Sequence, residues 1–207
     1  MDQGGFTLVE LLAVIAILGV LAALLFGAGS RVIEGARRAE CLSNLSTLGK
    51  AFHMHISDQS VFPQKRAKDQ PQDWLVSVAP YLGSHKGVMC CPSHRVVNGK
   101  TVEFRSTIDT NLVTNYGISY WLAEGIATGG GGTTSQRLPS PVNLPSASKV
   151  GVLVDAKNNW VKETQPDRLW AAHGQNANML FFDGHVESRP VAEFISNNIV
   201  PNFAEPR

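Results

Sequence analysis

The 207-residue sequence has no block of Lys and Arg; 18 basic and 17 acidic residues leave a net charge of +1. Such a balance offers no electrostatic footprint for nucleic acid, so that class of partner is set aside. Cysteine is scarce: three stand at positions 41, 90 and 91, and no C-x-x-C pair spells a zinc site. There is no Gly-x-Ser-x-Gly elbow, no His-Glu-x-x-His pair and no Asp-x-Asp-x-Asp run. His53 and His55 lie two apart in a helical stretch and face different ways. Ser, His and Asp all occur, but nothing in their spacing makes a triad, and no enzyme activity is expected. No repeat with a period of roughly 20–50 residues is present, which excludes a solenoid.

Charge is missing altogether from Leu11 to Ser30, and one acid, Glu10, stands at the front edge of that run. As a helix, Phe6 to Ser30 would measure about 37 Å at ~1.5 Å per residue, enough to cross a bilayer. A cleaved secretory signal is the rival reading, since Phe26 to Ser30 offers small residues. Such signals carry an apolar stretch of about 7–15 residues behind a basic segment, and Met1 to Gly5 contains no base. Arg31, Arg37 and Arg38 follow the run, and a positive-inside count alone would keep that side cytoplasmic.

Proline is absent from the next stretch too. There Val32, Ile33, Ala36, Leu42, Leu45, Leu48, Phe52 and Ile56 recur at helical steps, with Arg31, Glu34, Arg37, Arg38, Glu40 and Lys50 between them. One nearly continuous helix is expected from about Phe6 to about Ile56. Its first half belongs in lipid and its second half on a head domain. Beyond Pro63 the chain is rich in loops, and Gly129 to Gly132 makes a flexible break. A short helix is expected over Asp73 to Leu82, stopped by Pro80. Strands are expected at Thr101 to Arg105, Tyr116 to Trp121, Lys149 to Val154, Asn178 to Phe182 and His185 to Ser188. The fold class is therefore α+β, a small antiparallel sheet with a long helix packed on it. Asp183-Gly184 predicts a two-residue type I′ hairpin with Phe182 opposite His185 and Phe181 opposite Val186. That register puts Met179, Phe181 and Val186 on the face toward the helix.

Gly5-Phe6-Thr7-Leu8-Val9-Glu10, followed by an apolar helix, resembles the N-terminal cleavage and methylation motif of type IV pilins and type II secretion pseudopilins. The resemblance implies a leader at 1–5, cleavage between Gly5 and Phe6 by a prepilin peptidase, and N-methylation of Phe6. It implies a transmembrane and assembly helix at 6–30, its amphipathic continuation at 31–56 and an extracytoplasmic head at 57–207. The chain would sit in a bacterial inner membrane as a single pass. It would then enter a pseudopilus or pilus-like filament with copies of itself and sibling pilins, driven by an assembly ATPase and its platform protein. Glu10, costly in hydrocarbon unless paired, would meet the Phe6 amine of a neighbouring subunit and set the register. The family's leader carries Lys or Arg, whereas Asp2 is the sole charge before Gly5.

The head adds a second resemblance. His173 precedes Asp183-Gly184 with the H-x9-DG spacing of a prepilin-type processing-associated domain, a group that also tends to show cysteines like Cys41 and Cys91-Pro92-Ser93. An extracytoplasmic head permits a disulfide. Cys41 to Cys91 is the preferred pair, Cys41 to Cys90 the alternative, and three reduced buried thiols the remaining reading. Such a bridge would stabilise the fold by roughly 4 kcal/mol on the loop-entropy account. No cofactor is expected. Calcium, which some pseudopilins hold in the head, would have Asp155 and Asp183 as its acidic candidates. His173 and Asp183 otherwise read as a loop-fixing hydrogen-bonding group and a turn residue. An alternative role, an anchored module binding a glycan or protein, would use Trp74, Trp121, Trp160 and Trp170 as an aromatic surface.

Overall fold

In the computed structural model, the residues described are 7–60, 62–63, 73–93, 96–97, 100–101, 103–106, 108–119, 147–157, 160–161 and 166–196, with side chains at 24–31, 96–97, 100–101, 160, 166 and 195–196 left aside. The Gly129 to Gly132 break, Trp121 and the Gly5-Phe6 bond lie outside them. The chain forms two units, Met1–Ala36 and Arg37–Arg207. Helix α1, Leu8–Gln59, contributes to both.

In the first unit every described side chain from Thr7 to Ala23 is exposed. Leu8, Val9, Leu11, Leu12, Val14, Ile15, Ile17, Leu18, Val20 and Leu21 therefore present apolar surface all round the helix. Among the described residues, no helix is long and apolar enough to cross a membrane.

The second unit begins with the remainder of α1. Its buried positions include Cys41, Leu45, Leu48, Phe52 and His55, alternating steps of four and three that keep one stripe against the sheet, with Gly49 and Ala51 beside it. Val32 and Ile33, expected on this stripe, are exposed. The packed stripe starts only at Cys41 because the compact body of the head begins after Ala36. A Cβ on Gly49 would sit 2.9 Å from Leu180 Cδ1, so its lack of a side chain allows the close helix-to-sheet approach.

Helix α2, Trp74–Val78, is capped by Asp73, whose carboxylate accepts from Leu75 N at 3.2 Å. The expected continuation to Leu82 exists as a 3-10 turn, Ala79–Leu82, since Pro80 cannot supply an interior N–H. Trp74 and Phe52 meet in the core with ring centres 5.7 Å apart.

Nine short strands are described: β1 Val96–Val97, β2 Lys100–Thr101, β3 Phe104–Arg105, β4 Val113–Thr114, β5 Tyr116–Ser119, β6 Gly151–Asp155, β7 Trp160–Val161, β8 Asn176–Phe181 and β9 Val186–Pro190. The expected strand at Thr101 to Arg105 is thus split between two small hairpins, β1-β2 and β3-β4. The main sheet runs β7-β5-β6-β8-β9. It is antiparallel except at β7, which pairs parallel to β5. Both faces are covered. One carries α1 and α2 with Leu153, Leu180 and Phe182; the other carries Val154, Met179, Phe181 and helix α3, Val191–Ser196, through Phe194.

The β8-β9 hairpin exists with a register one residue away from expectation: Leu180 faces Val186 and Met179 faces Glu187. Phe181 N donates to His185 O at 2.9 Å and Gly184 N to Phe181 O at 2.9 Å, so the loop holds three residues, with Gly184 at φ +90°. This is the turn plus left-handed glycine form of a hairpin. Because side chains alternate, the slip exchanges the faces. Leu180, Phe182 and Val186 pack toward α1, while Met179 and Phe181 lie under α3.

Candidate functional site

At the head of α1, Thr7 and Glu10 close on each other. Glu10 Oε2 accepts from Thr7 N at 2.8 Å and from Thr7 Oγ1 at 2.7 Å, while Thr7 Oγ1 accepts from Glu10 N at 3.3 Å. This reciprocal pattern is a capping box, spelled Thr-x-x-Glu, and it satisfies donors that a helix start leaves open. Sequence reasoning assigned Glu10 to assembly and missed the local signal, although Thr7-Leu8-Val9-Glu10 carries it. The acid therefore has hydrogen-bond partners within its own subunit.

The second constellation lies inside the head. Cys41 comes from the first turn of the buried stripe of α1. Cys91 is held by Asn115, whose Oδ1 accepts from Cys91 N at 2.7 Å and whose Nδ2 donates to Cys91 O at 3.1 Å. Asp155 ends β6, and His173 precedes β8 through a tight pair of backbone bonds with Asn176, with Gly174 at φ +75°. Their donor atoms all lie within 4.8 Å of one another. Cys91 Sγ is 3.2 Å from His173 Nε2, Cys41 Sγ is 3.5 Å from Asp155 Oδ1, and His173 Nε2 is 3.8 Å from Asp155 Oδ2. All four residues are buried.

Neighbours complete the shell. Tyr116 OH sits 3.3 Å from Cys41 Sγ, and Asn178 N donates to Asp155 Oδ2 at 2.8 Å. A hydrogen bond from the Cys91 thiol is the main cause that draws the Cys41 thiol down to about 5, against the opposing effect of burial. The same bond, with burial, pushes the Cys91 thiol far up. Burial, then the adjacent Cys41 charge, raises the Asp155 carboxyl well above the usual carboxylate range. Burial likewise raises the Tyr116 hydroxyl. The cluster thus concentrates acidic groups where water cannot dilute their charge.

Cysteine, histidine and aspartate side by side invite a comparison with a catalytic triad, and the geometry rejects it. In a triad the nucleophile and the acid use opposite nitrogens of the ring. Here Cys91 and Asp155 both approach Nε2.

Of the residues singled out from sequence, Cys41, Cys91, Asp155 and His173 come together. Cys41 and Cys91 are free thiols, adjacent but unbonded. Cys90 is also free, and its Sγ points to Val113 O at 3.3 Å. Backbone at Cys90 is extended, so consecutive side chains point apart and only Cys91 reaches Cys41. Asp183 does not join Asp155. It lies exposed at the β8-β9 turn, paired with His185. Burial works against its ionisation, but the His185 ring and backbone N–H together hold its carboxyl below the usual value. The H-x9-DG motif is divided: His173 serves the buried cluster, and Asp183-Gly184 shapes the turn at the far end of β8. Trp74 is buried in the core and Trp170 packs partly buried against it.

Residues 1–26 match the prokaryotic N-terminal methylation motif. Residues 32–87 match a protein family of unknown function, DUF1559, and that match includes Cys41 but stops before Cys91, His173 and Asp183-Gly184. Together the two matches support a type IV pilin-like family. No curated protein and no solved structure matches the chain. The motif marks a precursor processed by a prepilin peptidase and a membrane-anchored or surface-filament protein, and pilin-like proteins are generally structural rather than enzymatic.

Proposed function

We propose that this pilin-like protein is a structural subunit of a type II secretion pseudopilus or a type IV pilus-like filament, built through its N-terminal helix. The observation that carries this reading is the ring of exposed apolar side chains from Leu8 to Leu21, within the residues that match the methylation motif. A helix apolar on every side needs lipid or other helices around it. Before assembly, residues 6–30 lie in a bacterial inner membrane with the head outside the cytoplasm; after assembly, the same surface packs against copies and sibling pilins. An assembly ATPase and its platform protein supply the work. Cleavage separates Gly5 from Phe6, Phe6 is methylated, and its amine pairs with Glu10 of a neighbour.

Changing Glu10 to Ala is expected to leave cleavage intact, seen as the mass of the mature N-terminus, while incorporation into sheared filaments falls at least tenfold. Normal incorporation of the variant would overturn the assembly role.

A further inference from the structure

We propose that Cys41, Cys91, Asp155 and His173 form a structural zinc site that clamps the head. Four elements with no shared local sequence each deliver one donor to the same point: α1, the loop after the 3-10 turn Lys86–Met89, the end of β6 and the turn leading into β8. Tetrahedral zinc, with bonds of about 2.3 Å to sulfur and about 2.0–2.2 Å to nitrogen or oxygen, sets neighbouring donors about 3.3–3.8 Å apart. Cys91 Sγ to His173 Nε2 at 3.2 Å and Cys41 Sγ to Asp155 Oδ1 at 3.5 Å lie close to that range, and all four donors fall within 4.8 Å of one another. Two sulfurs, one imidazole and one carboxylate also suit zinc as a borderline-soft ion; calcium would want oxygens throughout.

Hydrogen bonding alone serves this group poorly. One thiol and one carboxylate oxygen face the same imidazole nitrogen, and Nε2 carries a single site with which to answer both Cys91 and Asp155. A divalent cation among them offsets the negative charge and accepts the lone pairs of all four. The surroundings fit a loaded site. Asn178 holds Asp155 Oδ2 through its backbone, which leaves Oδ1 on the side of Cys41. The Asn178 carboxamide is fully buried, and neither its Nδ2 nor its Oδ1 has a hydrogen-bond partner. By strand alternation it shares a face with Leu180, which packs toward α1, the helix that carries Cys41. An amide there can donate to a metal-bound thiolate, the outer contact that such ligands usually gain. With every ligand a buried side chain, no position is open to substrate, so the role is structural.

The competing occupant is a Cys41–Cys91 disulfide, which would use two donors and leave Asp155 and His173 facing each other. The test uses the full chain, purified in detergent with reductant and no chelator. Elemental analysis is expected to find about one zinc per chain after desalting, falling below about a tenth in Cys91→Ser and staying unchanged in Cys90→Ser. Should Cys91→Ser fail to fold, cobalt exchange into the wild-type chain decides the matter: a thiolate-to-cobalt charge-transfer band and tetrahedral d–d bands are expected. Wild-type chain that takes up neither zinc nor cobalt would overturn the site. So would peptide mapping that finds Cys41 and Cys91 bonded in chain alkylated directly from cells.

Discussion

The two ends of α1 solve the same problem by opposite means. From Leu8 to Leu21 apolar residues cover the whole circumference and all are exposed, so whatever buries them is another molecule. From Cys41 to His55 they keep to one stripe, and the stripe is buried by the chain's own sheet. Polar groups follow the same division. Glu10 at one end is held by a residue three positions away, whereas Cys41 at the other meets Asp155 from 114 residues away. A single continuous helix can therefore be intermolecular in purpose at one end and intramolecular at the other.

Substitutions can break that contrast. The largest effect is expected inside the stripe: Leu48→Ala, at a fully buried site, should cost the head about 2–5 kcal/mol in chemical denaturation followed by Trp fluorescence. Gly184→Ala forces a Cβ into φ +90° beside His53 and should cost about 1–2 kcal/mol in the same assay. Thr7→Val removes the hydroxyl of the capping box and should weaken the helix start by about 1 kcal/mol, read as faster amide exchange over the first turn. The smallest effect on the head is expected from Ile15→Ala, within about 0.5 kcal/mol, because Ile15 is exposed and lies in the other unit. If Ile15→Ala destabilised the head as much as Leu48→Ala, the division of labour along α1 would be wrong.

Much of the architecture was legible because it is written locally. The apolar run, the helical period of Leu45, Leu48 and Phe52, the short helix after Asp73 and the existence of the Asp-Gly hairpin all depend on residues within a few positions of each other. The register was not, since Asp-Gly suits both a two-residue and a three-residue loop and the difference rests on where Gly184 takes its positive φ. The buried cluster was legible only in fragments. Cys91 and His173 are 82 residues apart, and no spacing rule joins them. Asp155 did carry a signal of its own, an acid closing the otherwise apolar strand Gly151 to Val154, where every position is buried. A charge placed there needs a partner, and that need was the available clue.

The glycine turn and the cluster stand at opposite ends of β8, which makes the nine residues between His173 and Asp183 a ruler. One residue added to that strand would turn its far end over and carry the imidazole away from the sulfurs. Two would restore the face but displace it by about 7 Å, further than any side chain in the cluster reaches. Length is therefore a quantity that this segment must keep in addition to the residues that pack from it.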